Sequence, residues 1–164
     1  MPAHTRQSLT RATQSLLNAF SSGADTPTLL STFTANPAPQ ILEHGLRQLA
    51  PFLDRPFTGQ SEVKQYFTIL NEHLGIESVD LDDESFWVVD TETMVVCLRG
   101  NARFVSKRTG QKWDEVFIYR IEIAEEGKED AEGRAELKVR KYEVWADTGA
   151  AYLAMRGELE GLKA

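Results

Sequence analysis

Three ionisable side chains, His44, Glu115 and Tyr119, offer this chain its most direct chemistry. An imidazole such as His44 titrates near neutral pH and serves as a general base. A phenol such as Tyr119, kept dry, donates a hydrogen bond to an oxygen on which negative charge develops. A carboxyl such as Glu115 becomes a pocket acid of raised pKa where it is desolvated, and stays an ordinary solvated acid at a pocket mouth. The remaining histidines, His4 and His73, and the single cysteine, Cys97, fall at no spacing that resembles a metal site. Neither a metal nor a cofactor is expected.

Alternation along the strands sorts these groups onto faces. From Trp113 to Ile123, one face carries Trp113, Glu115, Phe117, Tyr119, Ile121 and Ile123. This largely apolar row is the expected concave side, with Val116 and Ile118 on the opposite side. In the preceding strand, Met94, Val96, Leu98, Ala102 and Phe104 share one face and Arg99, Asn101 and Arg103 the other, which reads as an outward polar face or a dimer interface. Near the C-terminus, Arg140, Tyr142 and Val144 share one face and Val139, Glu143 and Trp145 the other, and alternation alone does not say which points inward. Cys97 reads as an inert small apolar residue in a strand.

Two kinds of element must position these strands. Leu9, Ala12, Leu16, Leu17, Ala19 and Phe20 recur at helical spacing within Arg6 to Phe20. Asp25-Thr26-Pro27 starts a second, short helix with Leu29, Leu30 and Phe33 on its apolar side. Asn36-Pro37-Ala38-Pro39 breaks the helix, and Gln40 to His44 reads as a short strand. A loop with Phe52, Leu53 and Phe57 leads to a third helix over Gln60 to Leu74, in which Val63, Tyr66, Phe67 and Leu70 recur at i, i+3, i+4, i+7 and Gly75 is the expected C-cap. The period then changes to two. Ile76–Asp90, Thr93–Ser106, Lys112–Ala124 and Arg134–Trp145 read as four strands. Arg108-Thr109-Gly110-Gln111 is expected to form a hairpin turn, the tract 125–133 a mobile charged hairpin loop, and Asp147 the N-cap of a last helix over Gly149 to Met155.

Helices first and consecutive antiparallel strands after define an α+β class: a curved antiparallel sheet with three N-terminal helices and a short C-terminal one. The 164 residues suit one domain spanning 1–164. The net charge of -7, with its basic residues scattered, argues against a nucleic-acid partner. No apolar run reaches the roughly 18 residues of a membrane span, and one cysteine permits no intrachain disulfide, so a reducing, cytoplasmic setting is the simplest. The first 24 residues contain Arg6 and Arg11 and no acid, a composition loosely like a transit peptide, but the same stretch reads as the first helix.

Four segments in this order resemble the nuclear-transport-factor-2-like superfamily, in particular its SnoaL-like members. They are Phe33 to Gly45 ending in Glu43-His44-Gly45; Phe57-Thr58-Gly59 with Val63 and Tyr66-Phe67; Arg108 to Trp113; and Tyr142-Glu143-Val144-Trp145-Ala146-Asp147. The resemblance covers about Arg6 to Met155 and implies a cone-shaped barrel with one pocket for an apolar small molecule. It puts His44 where ketosteroid isomerase-like members keep a catalytic carboxylate, pointing into the cone, and Tyr119 where they place an acid that bonds an oxyanion. Asn101 stands two residues after Arg99 where limonene epoxide hydrolase-like members want Asp, so that route to activated water is not expected. The family hosts isomerases, dehydratases, cyclases and inactive proteins, so membership fixes the fold better than the function.

The resulting expectation has His44 and Tyr119 as catalytic residues, with Phe57, Tyr66, Phe67, Leu70, Trp87, Trp113, Glu115, Phe117, Tyr142 and Trp145 lining the pocket. The alternative is a non-catalytic binding or dimerisation module, a homodimer through the outer sheet face. A cavity of about 300 Å³ or more with His44 open to it would support ligand work. A cone filled by aromatic side chains would suit a scaffold.

Overall fold

A computed structural model of the chain describes residues 4–129, 133 and 135–162. Helix α1 spans Arg6–Ser21 and buries the expected stripe of Leu9, Ala12, Leu16, Leu17 and Ala19. The Thr5 side chain caps its N-terminus by accepting from the Ser8 N–H. Helix α2, Thr26–Ser31, starts at Asp25, whose carboxylate accepts from the Thr28 N–H at 2.9 Å. Strand β1, Gln40–His44, follows the proline-rich break. Strand β2 is the pair Phe57–Thr58. Helix α3, Gln60–His73, opens at Gly59, whose φ of 87° favours glycine. The Glu62 carboxylate reaches back to accept from the Thr58 N–H at 2.7 Å.

Gly75 does not cap this helix. The chain passes straight from His73 into strand β3, Leu74–Leu81, and Gly75 lies against Val105, whose Cγ1 would stand 2.8 Å from any Cβ there. The expected strand 76–90 is interrupted. A 3₁₀ turn at Glu84–Phe86 separates β3 from a short β4, Val88–Asp90, and Asp83 caps that turn through the Ser85 N–H. Strands β5 (Val95–Ser106), β6 (Lys112–Glu129) and β7 (Ala135–Trp145) complete the sheet, and α4, Thr148–Arg156, closes the cone. Gly110, at φ 74°, turns the β5–β6 hairpin as the sequence indicated.

The sheet runs β2-β1-β7-β6-β5-β3, with β4 also pairing to β5. It curves without closing. Its ladders are antiparallel except one: β1 lies parallel to β7, with Ile41 opposite Tyr142 and His44 opposite Trp145. A five-residue strand carries no sequence signal for its partner's direction, whereas the long strands pair antiparallel as expected. The charged tract expected as a loop is in part strand, because β6 continues through Glu129 and pairs with β7 at Glu125–Leu137 and Glu126–Glu136. The mobility expected for that tract concerns residues of which 130–132 lie outside those described. One apolar core fills the concave side, drawing on α1, α3, the loop residues Phe52 and Leu53, and the inner faces of β1 and β5–β7. No helix among the described residues is long and apolar enough to cross a membrane.

Candidate active site

A single residue of alternation decides which side chain of β1 enters the cone. Ile41 and Glu43 point inward and are buried, whereas Gln40, Leu42 and His44 face out. The expected catalytic His44 is therefore outside the cavity. Its ring stacks on Trp145, centroids 4.2 Å apart, and its Nε2 lies 3.3 Å from Glu143 Oε1. Glu143 also accepts from Arg120 at 2.9 Å. Although burial pushes the Glu143 carboxyl up, Arg120, His44 and Lys141 together hold it below the usual range.

Strand β7 reaches the cone through a bulge. Glu122 pairs with Lys141 but Ile123 with Val139, which leaves Arg140 as the extra residue. Val139 and Tyr142 consequently both face inward, and Val144 and Ala146 follow Tyr142. Trp145 falls on the outer face, 42% exposed, and is not a lining residue. Trp87 is also elsewhere. It lies beside α1, its indole N–H donating to the Asp82 carbonyl at 2.7 Å, and Arg6 bonds its carbonyl. Phe57 and Phe67 stand behind the wall, packing against Tyr66 at centroid distances of 5.4 and 5.1 Å.

Seven of the expected residues do meet at one cavity: Tyr66 and Leu70 from α3, Trp113, Glu115, Phe117 and Tyr119 from β6, and Tyr142 from β7. Phe117 lies flat across β5 because Gly100 stands opposite, where any Cβ would come 2.5 Å from its ring. Phe20, Phe52 and Leu53 close the cavity on the helix side, and Asp147, Thr148 and Ala151 on the α4 side. Among the described residues, no Lys, Arg or His lines it. The space open to the centre of a water molecule is about 40 Å³, room for a few waters and well short of the expected pocket.

Glu43 is the buried ionisable group of the cavity that sequence reasoning missed. Its carboxylate is buried and accepts from the Tyr66 hydroxyl at 2.7 Å. Desolvation pushes its pKa up to about 7, the Tyr66 bond pulls it back, and the charge of Glu115 raises it further. Glu115 is likewise pushed up to about 7, first by desolvation, against the hydrogen bond from the Trp113 indole at 3.0 Å, with Asp147 adding repulsion. Burial also raises the phenols of Tyr66, Tyr119 and Tyr142, so all three are neutral O–H groups near pH 7. Asp147 has the expected role of N-cap, its Oδ1 accepting from the Ala150 N–H at 3.0 Å. The signal that could have found Glu43 was its i, i+2 relation to Ile41. It was masked because Leu42 gives the other face of β1 an apolar residue too.

A carboxyl titrating near 7 between apolar walls exists as base and as acid in comparable amounts, which suits proton transfer to and from carbon or oxygen. The neutral phenols can donate to oxygen that gains charge. Among the described residues no group of three or more His, Cys, Asp or Glu is arranged to hold a metal ion.

No family model matches the chain, and no curated protein sequence matches it. Solved structures do. A nuclear-transport-factor-2-like protein from Burkholderia xenovorans superposes with a TM-score of 0.64 at 18% identity, covering 94% of this chain and 98% of that one. A ketosteroid isomerase-like protein from Erwinia carotovora atroseptica gives 0.58 at 16% identity, over 88% and 97%. The BvnE pinacolase from Penicillium brevicompactum gives 0.59 at 14% identity, over 95% and 96%. The chain shares the fold of these structures, a cone of curved sheet and helices. Likeness at this identity concerns the fold alone.

Proposed function

We propose that the chain binds an apolar small molecule in the cone and moves a proton on it without a cofactor, as an isomerase, dehydratase or cyclase does. The observation that carries this reading is the buried Glu43 carboxylate, held at 2.7 Å by Tyr66 on the wall of an aromatic cavity. Glu43 takes the proton-transfer role that the sequence suggested for His44, and Tyr119 keeps its role as donor to a developing oxyanion. Tyr66, Leu70, Trp113, Phe117 and Tyr142 contact the ligand, and the wall must widen to admit it. Structural neighbours with isomerase-type names, the pinacolase among them, are in keeping with it. The test uses 5-nitrobenzisoxazole, whose ring opens when a base removes one C–H proton. Wild-type protein is expected to open it with a rate that rises through about pH 7, and Glu43→Gln to lose roughly 100-fold. Turnover unaffected by that substitution would refute the reading.

A second reading, a dimerisation module, is favoured by the narrow cavity and by Val116, Ile118 and Trp145, which are 56%, 42% and 42% exposed on the outer sheet face. We propose a homodimer through that face, which is compatible with either reading. Ile118→Glu is expected to shift the sedimentation coefficient from dimer to monomer. A wild-type monomer at high micromolar concentration would remove the dimer from the account.

A further inference from the structure

Charge is distributed unevenly between the two faces of the sheet. Outside the cone, carboxylates face cations: Glu143 meets Arg120 and Lys141, Glu122 meets Arg140, and Glu77 meets Lys112 and Arg103. The cavity has no such pairing. Glu43, Glu115 and Asp147 all line it, and among the described residues no Lys, Arg or His is there to neutralise them. Glu43 is buried, its Oε2 accepts from the Tyr66 hydroxyl, and among the described residues no donor reaches its Oε1. Glu115 accepts from the Trp113 indole at 3.0 Å and feels the charge of Asp147. Much of the remaining wall is aromatic. Phe104 stacks on Trp113 at a centroid distance of 5.7 Å, and Phe117 on Tyr119 at 4.5 Å. Aromatic faces attract a cation, and a desolvated carboxyl without a counter-charge is costly to ionise.

Resting on the reading of the cone as a ligand pocket whose base is Glu43, we infer that the ligand is an apolar molecule carrying one positively charged nitrogen, and that Glu115, with Asp147 and the rings of Trp113 and Phe104, holds that nitrogen. The geometry gives the two glutamates separate places. Glu115 lies four residues before Tyr119 on the inner face of β6, whereas Glu43 is level with Tyr119, because Glu43 pairs with Val144 and Val144 with Tyr119. The nitrogen and the reacting C–H therefore sit at two levels of one cavity, and Glu43 keeps its free Oε1 for the proton. Without a cation the carboxyls bind protons instead, and Glu43 and Glu115 are each pushed up to about 7. A bound cation replaces the Glu115 proton and stabilises the carboxylate. An anionic ligand meets three acids and no cation, so the same lining rejects it.

The test uses three probes of similar shape and different charge: benzylammonium, benzyl alcohol and benzoate. Of the three tryptophans only Trp113 lines the cavity, so its indole N–H signal in a nitrogen–proton NMR spectrum reports the site, with Trp87 and Trp145 as controls. At pH 8 benzylammonium is expected to move the Trp113 signal with a Kd about tenfold below that of benzyl alcohol, and benzoate to leave it in place. At pH 5 Glu115 is protonated, and the preference should shrink to about twofold. The other ionisable groups facing the site are Glu43 on β1, which titrates alongside, Asp147 ahead of α4, and the phenols of Tyr66, Tyr119 and Tyr142, which stay neutral at both pH values. Glu115→Gln should remove the preference while benzyl alcohol still binds, and Glu115→Asp should retain it. A Trp113 signal that benzylammonium does not move, equal Kd for amine and alcohol at pH 8, or a preference kept by Glu115→Gln overturns the inference; if Glu43→Gln still abolishes nitrobenzisoxazole opening, the base stands. Turnover untouched by Glu43→Gln, with the amine preference intact, removes the base and leaves the cation site.

Discussion

The Tyr66 hydroxyl donates to Glu43 Oε2 at 2.7 Å, and the phenol ring of Tyr66 and the carboxylate of Glu43 are both buried. This bond favours the ionised carboxylate against the desolvation that opposes it. Removing it with Tyr66→Phe should raise the Glu43 pKa above 7 by about one unit. The pH–rate profile for nitrobenzisoxazole opening then moves to the alkaline side. A midpoint at or below that of wild type would show that the bond does not tune Glu43.

Stability should fall as pH rises through the acid range to neutrality. Glu43 and Glu115 each have an ordinary carboxyl value of 4.5 and a folded value of about 7, so the folded chain binds their protons more tightly than the unfolded chain. Their contribution is fully present below about 4.5 and is withdrawn as pH passes about 7. For the fully buried Glu43 the loss is about 3 kcal/mol, and Glu115, less buried, adds less. Urea unfolding of wild type and Glu43→Gln at pH 5 and pH 8 measures it. The variant, which keeps an acceptor for Tyr66, should lose less stability between the two.

His44→Ala should leave nitrobenzisoxazole turnover within about twofold of wild type, since the ring stacks outside the cone on Trp145. The substitution removes a partner of Glu143, which retains Arg120 and Lys141, so the expected cost is about 1 kcal/mol or less. A loss of turnover near 100-fold would return His44 to the mechanism.

The C-terminal segment is latched to the β5–β6 hairpin. Gln111 Nε2 donates to the Gly157 carbonyl at 2.9 Å, its Oε1 accepts from the Leu159 N–H at 2.9 Å, and the Thr109 hydroxyl donates to the Ala154 carbonyl. Thr148 and Ala151 of α4 wall the narrow cavity, so releasing this latch should ease entry. Gln111→Ala is expected to lower Tm by a few degrees, for a cost of about 1–2 kcal/mol, and to lower KM for nitrobenzisoxazole more than it changes kcat. Amide exchange of α4 should quicken in the same variant.

The element order, the inner face of β6 and the capping of α2 and α4 were all legible in the residues. Period-two alternation over the long row from Trp113 to Ile123, helical spacing in α1 and α3, and Asp at two helix starts are local properties, and local properties persist into the fold. They placed Glu115, Phe117 and Tyr119 together correctly. The identity of the buried carboxylate was decided by tertiary structure. Ile41 and Leu42 put an apolar residue on each face of β1, and only its parallel pairing with β7 turns Glu43 inward and His44 out. The bulge at Arg140 likewise reverses the alternation of β7, which brings Tyr142 into the cone and leaves Trp145 outside. A short strand and a bulged one take their facing from their neighbours, and that information is not carried by their own residues.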